Sequence, residues 1–214
     1  MTTTVTLDVD GLLPRPVRLP ERQAYHAHGY LNLHDMWTEE FRQALAAEAR
    51  ARFDVAEVPD TGPQTPVVES RMVRRPTLAA TGPLLTHLHL ALTGTVRAVS
   101  GRLVVPTFSA YGYYEANDET LLHLDSEQCD VTLLTTVLGS VGPLHLRAEL
   151  RGRTMAELGA LEDDPQWNRL GGTRITYPAR GFTVLAGNTL PHHRPGRPVA
   201  TLSAVAALCY RSLL

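Results

Sequence analysis

A change of periodicity near Gly101 constrains the fold of this chain most strongly. Before this residue, apolar side chains recur at helical spacing, and after it they follow the pattern of short strands. Strands are predicted at 103–106, 107–115, 120–124, 131–138, 144–150, 181–186 and 200–210. Helices followed by many strands favour an α+β protein that is mainly β, with an antiparallel core of sandwich or barrel type and N-terminal helices packed on it.

Two helices are predicted in the first half of the chain. Asp35 or Thr38 caps the first, which runs to Phe53 with apolar residues four apart and acidic residues near its positive end. The second begins at Pro83, an acceptable first-turn residue, and ends at Gly101. These helices are expected to support the β core.

The remaining segments of the first half are predicted to be less regular. A short strand is expected at Thr3–Val9, and prolines predict a turn-rich connection over 14–20. Residues 54–82 are predicted to be mostly loop with an extended piece at Val67–Val73, and a further helix or turn is expected at Thr154–Leu161.

Length and charge limit the classes of protein. A chain of 214 residues with 43% hydrophobic residues can bury a full core, so we expect one domain, 1–214, in which 1–101 supports a β core at 102–214. The net charge of −2 argues against nucleic acid or an anionic membrane as partner. All 20 basic residues are Arg, which excludes Schiff-base chemistry and a P-loop lysine.

The two cysteines, Cys129 and Cys209, are too few for a disulfide framework or a cysteine-based zinc site. Neither a signal peptide nor a membrane span is recognisable in the sequence. We therefore expect a cytoplasmic protein, and its oligomeric state, monomer or homodimer, is left open.

The tripeptide His123-Leu124-Asp125 is the strongest candidate for a functional site. Residues i and i+2 of a strand point to the same side, so this imidazole and this carboxylate can converge while Leu124 packs behind them. One member of the pair His192-His193, about 70 residues later, could complete a two-His, one-carboxylate metal site with open positions.

The order of these segments resembles the Fe(II)/2-oxoglutarate-dependent dioxygenases, in particular their phytanoyl and prolyl hydroxylase branches. The likeness is carried by the leading segment GYLNL and the helix after it, by HLD, by the strand VTLLTTVLG, and by RGFTVLAGN running into LPHHR. It implies a double-stranded β-helix, a jelly-roll or cupin-like core, with N-terminal helices on it. It also implies Fe(II), 2-oxoglutarate and O₂ as cofactor and cosubstrates.

The resemblance assigns the metal ligands residue by residue. His123 and Asp125 are the ligands of the His-x-Asp motif, and His192 is the third because Gly-Asn-x-Leu-x-His is the form in which the family presents it. His193 is the alternative, since adjacent residues of a strand face opposite sides.

The cosubstrate site departs from the family pattern. Family members hold the far carboxylate of 2-oxoglutarate with an Arg on the last strand, where this chain has Ala200-Thr201-Leu202-Ser203-Ala204. Arg194 and Arg197 are the candidate replacements because a guanidinium offers a carboxylate two parallel hydrogen bonds. Ser203, Tyr111 and Tyr113 are candidates for additional hydroxyl donors.

These assignments imply an oxygenase that hydroxylates, desaturates or cyclises a small-molecule metabolite or natural-product intermediate. Asp125 favours these reactions, because halogenating relatives have a small residue in place of that carboxylate. The alternative is a cupin-like β-barrel protein that binds a metal or small ligand through the same residues without 2-oxoglutarate-dependent activity.

Overall fold

A computed structural model describes residues 11–13, 15–56, 77–79, 81–162, 167, 171–196 and 201–213. The predicted strand Thr3–Val9 and the extended piece Val67–Val73 lie outside this part of the chain. Helices of the described part are α1 (Leu19–His28), α2 (Glu39–Phe53), α3 (Pro83–Ala91), α4 (Thr93–Ser100) and α5 (Met155–Glu162). The first strands are β1 (Tyr30–Leu33), β2 (Thr77–Ala79), β3 (Val104–Tyr114), β4 (Thr120–His123) and β5 (Val131–Leu138). The later strands are β6 (Leu144–Leu146), β7 (Thr173–Ile175), β8 (Phe182–Leu185), β9 (His192–Arg194) and β10 (Ser203–Ser212).

The strands form two antiparallel sheets. The larger has six strands in the order β1-β8-β5-β10-β3-β2, and the smaller has four in the order β4-β9-β6-β7. Strands distant in sequence are neighbours in both sheets, as in a jelly roll. The expected mainly β fold with N-terminal helices is confirmed. Strands β1 and β2 show in addition that the first 101 residues contribute to the larger sheet itself.

The predicted helices of the first half are confirmed in position. Thr38 caps α2, with its hydroxyl accepting a hydrogen bond from the Phe41 amide at 3.3 Å, and the helix ends at Phe53 as expected. The second predicted helix is divided at Leu92 into α3 and α4, and Gly101 ends it with a left-handed φ of 68°.

The turn-rich connection predicted around the N-terminal prolines is wrong in its last part, because α1 begins at Leu19. Pro20 occupies the first turn, where its missing N–H removes no helical hydrogen bond. The Glu21 carboxylate accepts from the Arg18 amide at 2.8 Å and is bound by the Arg15 guanidinium at 2.7 Å. Proline marks a helix start here, and the spacing of apolar residues alone did not reveal it.

Most strand predictions are confirmed, with two changes of extent. The predicted strands 103–106 and 107–115 are one continuous strand, β3. The predicted strand 144–150 ends at Leu146, where the chain turns into a 3₁₀ segment, Ala148–Leu150. Strands β7 and β9 have three residues each, too few for an alternating pattern to be recognised.

Two apolar clusters cover the two faces of the larger sheet. On the outer face, Trp37, Leu45 and Leu88 from the helices pack against strand residues that include Tyr111 and Phe182. A second cluster lies between the sheets and contains Tyr114, Leu134, Leu144, Leu146, Ile175, Tyr177, Leu185, Leu190 and Val205. Strand β5 is therefore buried on both faces, which explains its almost continuous apolar sequence. Among the described helices, none has the length and apolar character needed to cross a membrane.

The two cysteines, too few for a disulfide framework, are nevertheless joined to each other. Cys129, in the loop before β5, forms a disulfide with Cys209 on β10, with Cα atoms 4.7 Å apart. The pairing ties the segment that follows Asp125 to the larger sheet. It gives no support to the reducing compartment that the sequence predicts.

Glu48 connects two helices and the larger sheet. One carboxylate oxygen accepts from the Leu84 amide at 2.8 Å, and the other accepts from the Leu85 amide at 3.0 Å and from the Tyr111 hydroxyl at 2.7 Å. The N-cap of α3 is Gly82, which has no side chain. Glu48 therefore supplies, from α2, the acceptor that the start of α3 requires.

We predict that Glu48→Ala lowers the free energy of unfolding by about 2 kcal/mol, because it leaves two helix amides and one buried hydroxyl without an acceptor. Urea denaturation followed by circular dichroism measures the loss. Arg50→Ala, on the exposed side of the same helix, is the control and should change stability by less than about 0.5 kcal/mol. Equal stabilities of the two variants would contradict this role.

Candidate metal centre

Pairing of β4 with β9 brings the candidate ligands together. His123 and His192 are directly opposite each other in the antiparallel pair. Asp125 lies two residues beyond His123, and its amide donates to the Gly187 carbonyl at 2.9 Å, which extends the contact past the end of the strand. Three side chains from two distant segments are therefore held at one edge of the smaller sheet.

The donor atoms of the three side chains face one another. The Asp125 Oδ1 atom lies 3.6 Å from His123 Nε2 and 3.5 Å from His192 Nε2. All three donor atoms lie within 4.8 Å of each other, and in the described residues this is the one group of three or more His, Cys, Asp or Glu with that property. Asp125 and His123 are partly exposed, whereas His192 is buried.

Backbone carbonyls orient both imidazoles. His123 Nδ1–H donates to the Leu121 carbonyl at 2.7 Å, and His192 Nδ1–H donates to the Leu190 carbonyl at 2.9 Å. A carbonyl can only accept, so each ring carries its proton on Nδ1 when neutral. The Nε2 lone pairs are left free toward Asp125, as metal-binding histidines require.

Electrostatics keep the carboxylate ionised. Burial raises the pKa of Asp125, but the facing His192 and His123 imidazoles outweigh burial and hold that pKa well below its usual range. Burial lowers the pKa of His123, and the hydrogen bond and charge of Asp125 outweigh it, so the net shift is upward. The site therefore presents an anion flanked by two nitrogen donors.

His193 points to the opposite face of the smaller sheet. Its ring makes edge contacts with His145 and Trp167, at centroid distances of 4.8 and 4.7 Å. Burial, together with the nearby His145 and Arg147, lowers the pKa of His193 to about 3. Of the two histidines that the sequence left open, His192 is therefore the one whose side chain joins His123 and Asp125.

The three side chains line a cavity of about 280 Å³ between the two sheets. Its other walls are largely apolar and are formed by Phe108, Gly112, Tyr114, Thr120, Leu124, Ser126, Thr132, Leu134, Leu144, Arg194, Val205, Ala207 and the Cys129–Cys209 disulfide. Of the residues that the structure describes, Arg194 contributes the one arginine side chain to this wall. It lies two residues beyond His192 and therefore on the same face of β9.

Arg194 is buried and has no acidic partner in the described part of the chain. Its guanidinium lies 4.6 Å from the centre of the Tyr114 ring and 5.4 Å from that of Tyr177, and it donates to the Tyr177 hydroxyl. Arg194 Nε is buried and has no hydrogen-bond acceptor among the described residues. A buried cation with an unused donor is costly unless an anion accompanies it. The Arg194 side of the cavity wall thus favours a negatively charged group.

Tyr111 and Tyr113 do not face the cavity, which corrects their expected position. They lie on the helix side of β3, where the Tyr111 hydroxyl binds Glu48 and the Tyr113 hydroxyl donates to the Ala49 carbonyl at 2.6 Å. Tyr114 is the tyrosine of this strand that faces inward. The sequence has tyrosines at positions 111, 113 and 114. Alternation along the strand does not show which of its two sides lies inside.

Ser203, another candidate for the cosubstrate site, lies outside the cavity wall. The Ser203 hydroxyl accepts from the Ser140 amide at 3.0 Å and donates to the Thr201 carbonyl at 3.3 Å, so it serves the backbone and is absent from the cavity wall. Arg197 lies outside the described residues. Thr132, which reaches Asp125 from β5, was not among the residues predicted from the sequence, and the only signal for it was a position on a strand predicted to be buried.

No protein-family model matches the chain, and no curated protein matches it. Solved structures with the same fold are numerous. They include SnoK, a non-heme alpha-ketoglutarate-dependent carbocyclase from nogalamycin biosynthesis, which is 14% identical, with a TM-score of 0.69 over 92% of this chain and 84% of that one. The apo form of EctD from S. alaskensis is 17% identical, with a TM-score of 0.63 over 92% and 78% of the two chains.

HygX from Streptomyces hygroscopicus, solved with nickel, 2-oxoglutarate and hygromycin B, is 11% identical, with a TM-score of 0.66 over 92% of this chain and 88% of that one. The fold of this protein is thus the fold of iron/2-oxoglutarate-dependent oxygenases. The resemblance that the sequence suggested is confirmed at the level of the fold.

The orientation of the two adjacent histidines leads to a test by metal titration. We expect His192→Ala to weaken Ni(II) binding at least 100-fold, because it removes one of three donors, and His193→Ala to change it less than about threefold. Isothermal titration calorimetry of the chelator-treated protein measures both. Similar losses in the two variants would contradict the assignment of His192 to the inner face.

Proposed function

We propose that this protein is a non-haem Fe(II)/2-oxoglutarate-dependent oxygenase that oxidises a small molecule. The observation that carries the proposal is the convergence of His123, Asp125 and His192 in one cavity of this fold, beside the buried Arg194, whose Nε has no acceptor among the described residues. Domain organisation as a single unit, 1–214, is part of the same proposal.

The donor set fits an iron(II) ion. Two imidazole nitrogens and one carboxylate oxygen on one side form the facial arrangement of non-haem Fe(II) oxygenases, which leaves the opposite positions open. Adjacent ligand atoms about 2.1 Å from a divalent ion are about 3 Å apart when they subtend a right angle. The two separations from Asp125 Oδ1, 3.5 and 3.6 Å, are larger than this, and all three donor atoms lie within 4.8 Å of one another, so the side chains would draw together around an ion.

Iron(II) and 2-oxoglutarate, when bound, supply the reduction of O₂, with two electrons from decarboxylation of 2-oxoglutarate to succinate and two from the substrate. The contribution of the chain is position and environment. His123, Asp125 and His192 hold the ion, and Leu134, Leu144 and Val205 restrict water on the inner side of the cavity.

Arg194 is the proposed anchor of the far carboxylate of 2-oxoglutarate. Residues i and i+2 of an antiparallel strand lie about 7 Å apart, a span that suits a five-carbon dicarboxylic acid reaching from the ligand His192 to Arg194. The Nε–H, which has no acceptor among the described residues, offers a carboxylate a donor in the plane of the guanidinium. In this proposal, Arg194 takes the role of the arginine that the family carries on its last strand.

Two tyrosines keep the proposed anchor in place. Tyr114 and Tyr177 stack on the guanidinium, and the Tyr114 hydroxyl shares a hydrogen bond with Thr120 Oγ1 at 3.0 Å. Aromatic faces offset part of the cost of burying the cation without neutralising it. The guanidinium is therefore oriented before any ligand arrives.

A small molecule is proposed as substrate because the cavity, of about 280 Å³, is only moderately large. HygX was solved with hygromycin B, whereas one prolyl hydroxylase of the same fold was solved with a peptide. Hydroxylation, desaturation and cyclisation are all compatible with the retained carboxylate of Asp125. A biosynthetic role and a cytoplasmic location are part of the proposal. Alkylation at the moment of cell lysis would test the location, because it labels Cys129 and Cys209 only if their thiols are reduced in the cell.

The proposed activity can be tested without knowing the substrate. We expect anaerobic Fe(II) and 2-oxoglutarate to give a weak visible charge-transfer band, and O₂ to release succinate slowly from uncoupled turnover. His123→Ala should abolish both signals, and His145→Ala, on the outer face of the smaller sheet, should retain them. Metal binding with neither band nor succinate would favour the cupin-like alternative, and absence of metal binding would contradict both.

The anchor has its own test. Arg194→Gln should weaken 2-oxoglutarate binding to the Ni(II)-loaded protein about 10- to 100-fold, because charge-assisted hydrogen bonds contribute about 1.5–3 kcal/mol and 1.4 kcal/mol is tenfold in affinity. Calorimetry measures the affinity. Arg147→Gln is a matched control, since Arg147 is also buried but lies against Trp167 on the outer side. Equal losses in both variants would show that Arg194 acts only through stability.

A further inference from the structure

We infer that Thr132 is a positioning residue that fixes the orientation of the Asp125 carboxylate, with Gly187 providing the space for it. The inference rests on the proposed metal site and extends it to two residues that are not themselves ligands. Thr132 lies on β5 of the larger sheet, and Gly187 lies just after β8 of the same sheet. The ligands belong to the smaller sheet and the loop beside it.

The Thr132 hydroxyl donates to Asp125 Oδ2 at 2.5 Å, while Oδ1 faces the two imidazoles. The two oxygens of the carboxylate therefore have different partners. A carboxylate can otherwise rotate and offer both oxygens to one cation. With Oδ2 engaged by Thr132, Oδ1 alone remains directed at the site, so further coordination positions stay available.

Thr132 itself is held firmly. It lies near the start of β5, a central strand that pairs with β8 on one side and β10 on the other, and it is 3% exposed. The other acceptor near its hydroxyl is Cys209 Sγ at 3.9 Å, a weak one. Because threonine is stiff at χ1, this environment leaves the hydroxyl directed at Asp125.

Gly187 leaves the space, called the slot below, that the Asp125 carboxylate and the Thr132 hydroxyl occupy. A Cβ atom at this position would lie 2.0 Å from Asp125 Oδ2 and 2.5 Å from Thr132 Oγ1. Its φ lies outside the left-handed region, so the backbone conformation does not demand glycine. What demands glycine is the close approach of the carboxylate and the hydroxyl, and the Gly187 carbonyl at the same time accepts the Asp125 amide.

The experiment measures Ni(II) affinity of the chelator-treated protein by calorimetry, so it does not depend on turnover. Partners that orient metal ligands are typically worth 10- to 100-fold in affinity. We expect a loss of that size for Thr132→Val and recovery to within about threefold of the starting protein for Thr132→Ser, which restores the hydroxyl.

The matched control is Thr135→Val. Thr135 lies on the same strand but on its opposite face, and its buried hydroxyl has no partner in the described part of the chain. This variant changes the same groups and should leave Ni(II) affinity unaltered. Thermal unfolding in chelator separates stability from binding.

Gly187→Ala tests the slot independently, also where Thr132→Val does not fold. We expect the added methyl to displace Asp125 and weaken Ni(II) binding at least tenfold, whereas Gly94→Ala, with no atom within 4 Å of the added carbon, should not. Unchanged affinity in Thr132→Val, or in Gly187→Ala when the former does not fold, overturns this inference alone. Loss of Ni(II) binding by the unsubstituted protein would instead overturn the proposed function.

Discussion

Antiparallel pairing of β4 with β9 is the interaction on which the candidate site depends. It sets His123 opposite His192 and is continued by the backbone hydrogen bond from Asp125 to Gly187. About 70 residues separate the two strands, so their pairing cannot be stabilised locally and carries the cost of closing a long loop. The six-stranded sheet and its helix layer offset that cost. They hold β8 in place, and the short segment between β8 and β9 then keeps β9 near β4.

The two faces of the larger sheet have different roles. One face packs against the helices, and the other lines the cavity. On β3, Tyr111 and Tyr113 face the helices and bind Glu48 and the Ala49 carbonyl, whereas Tyr114 faces the cavity beside Arg194. On β5, Thr132 faces the site. A shift of register by one residue would exchange these roles, because it would turn the helix-facing side chains toward the cavity.

In the proposed function, Arg194 compensates in space for the arginine that is missing from the last strand. The position that the last strand leaves without an arginine is matched by a guanidinium two residues beyond His192. It stays buried between Tyr114 and Tyr177 with an unused Nε donor, an arrangement that costs stability in the absence of an anion. Such a residue is easier to understand as part of a binding site than as part of the core.

Local patterns alone determined much of this protein: the helix that ends at Phe53, the extent of β5, and the shared face of His123 and Asp125, because helical spacing and the period of two act over neighbouring residues. They also determined that only one of His192 and His193 could join the site. Which one, and that Arg194 and Thr132 face inward while Tyr111 does not, was decided by the tertiary structure. The physical reason is that a strand's alternation defines two faces, but only pairing with strands distant in sequence decides which face lies inside.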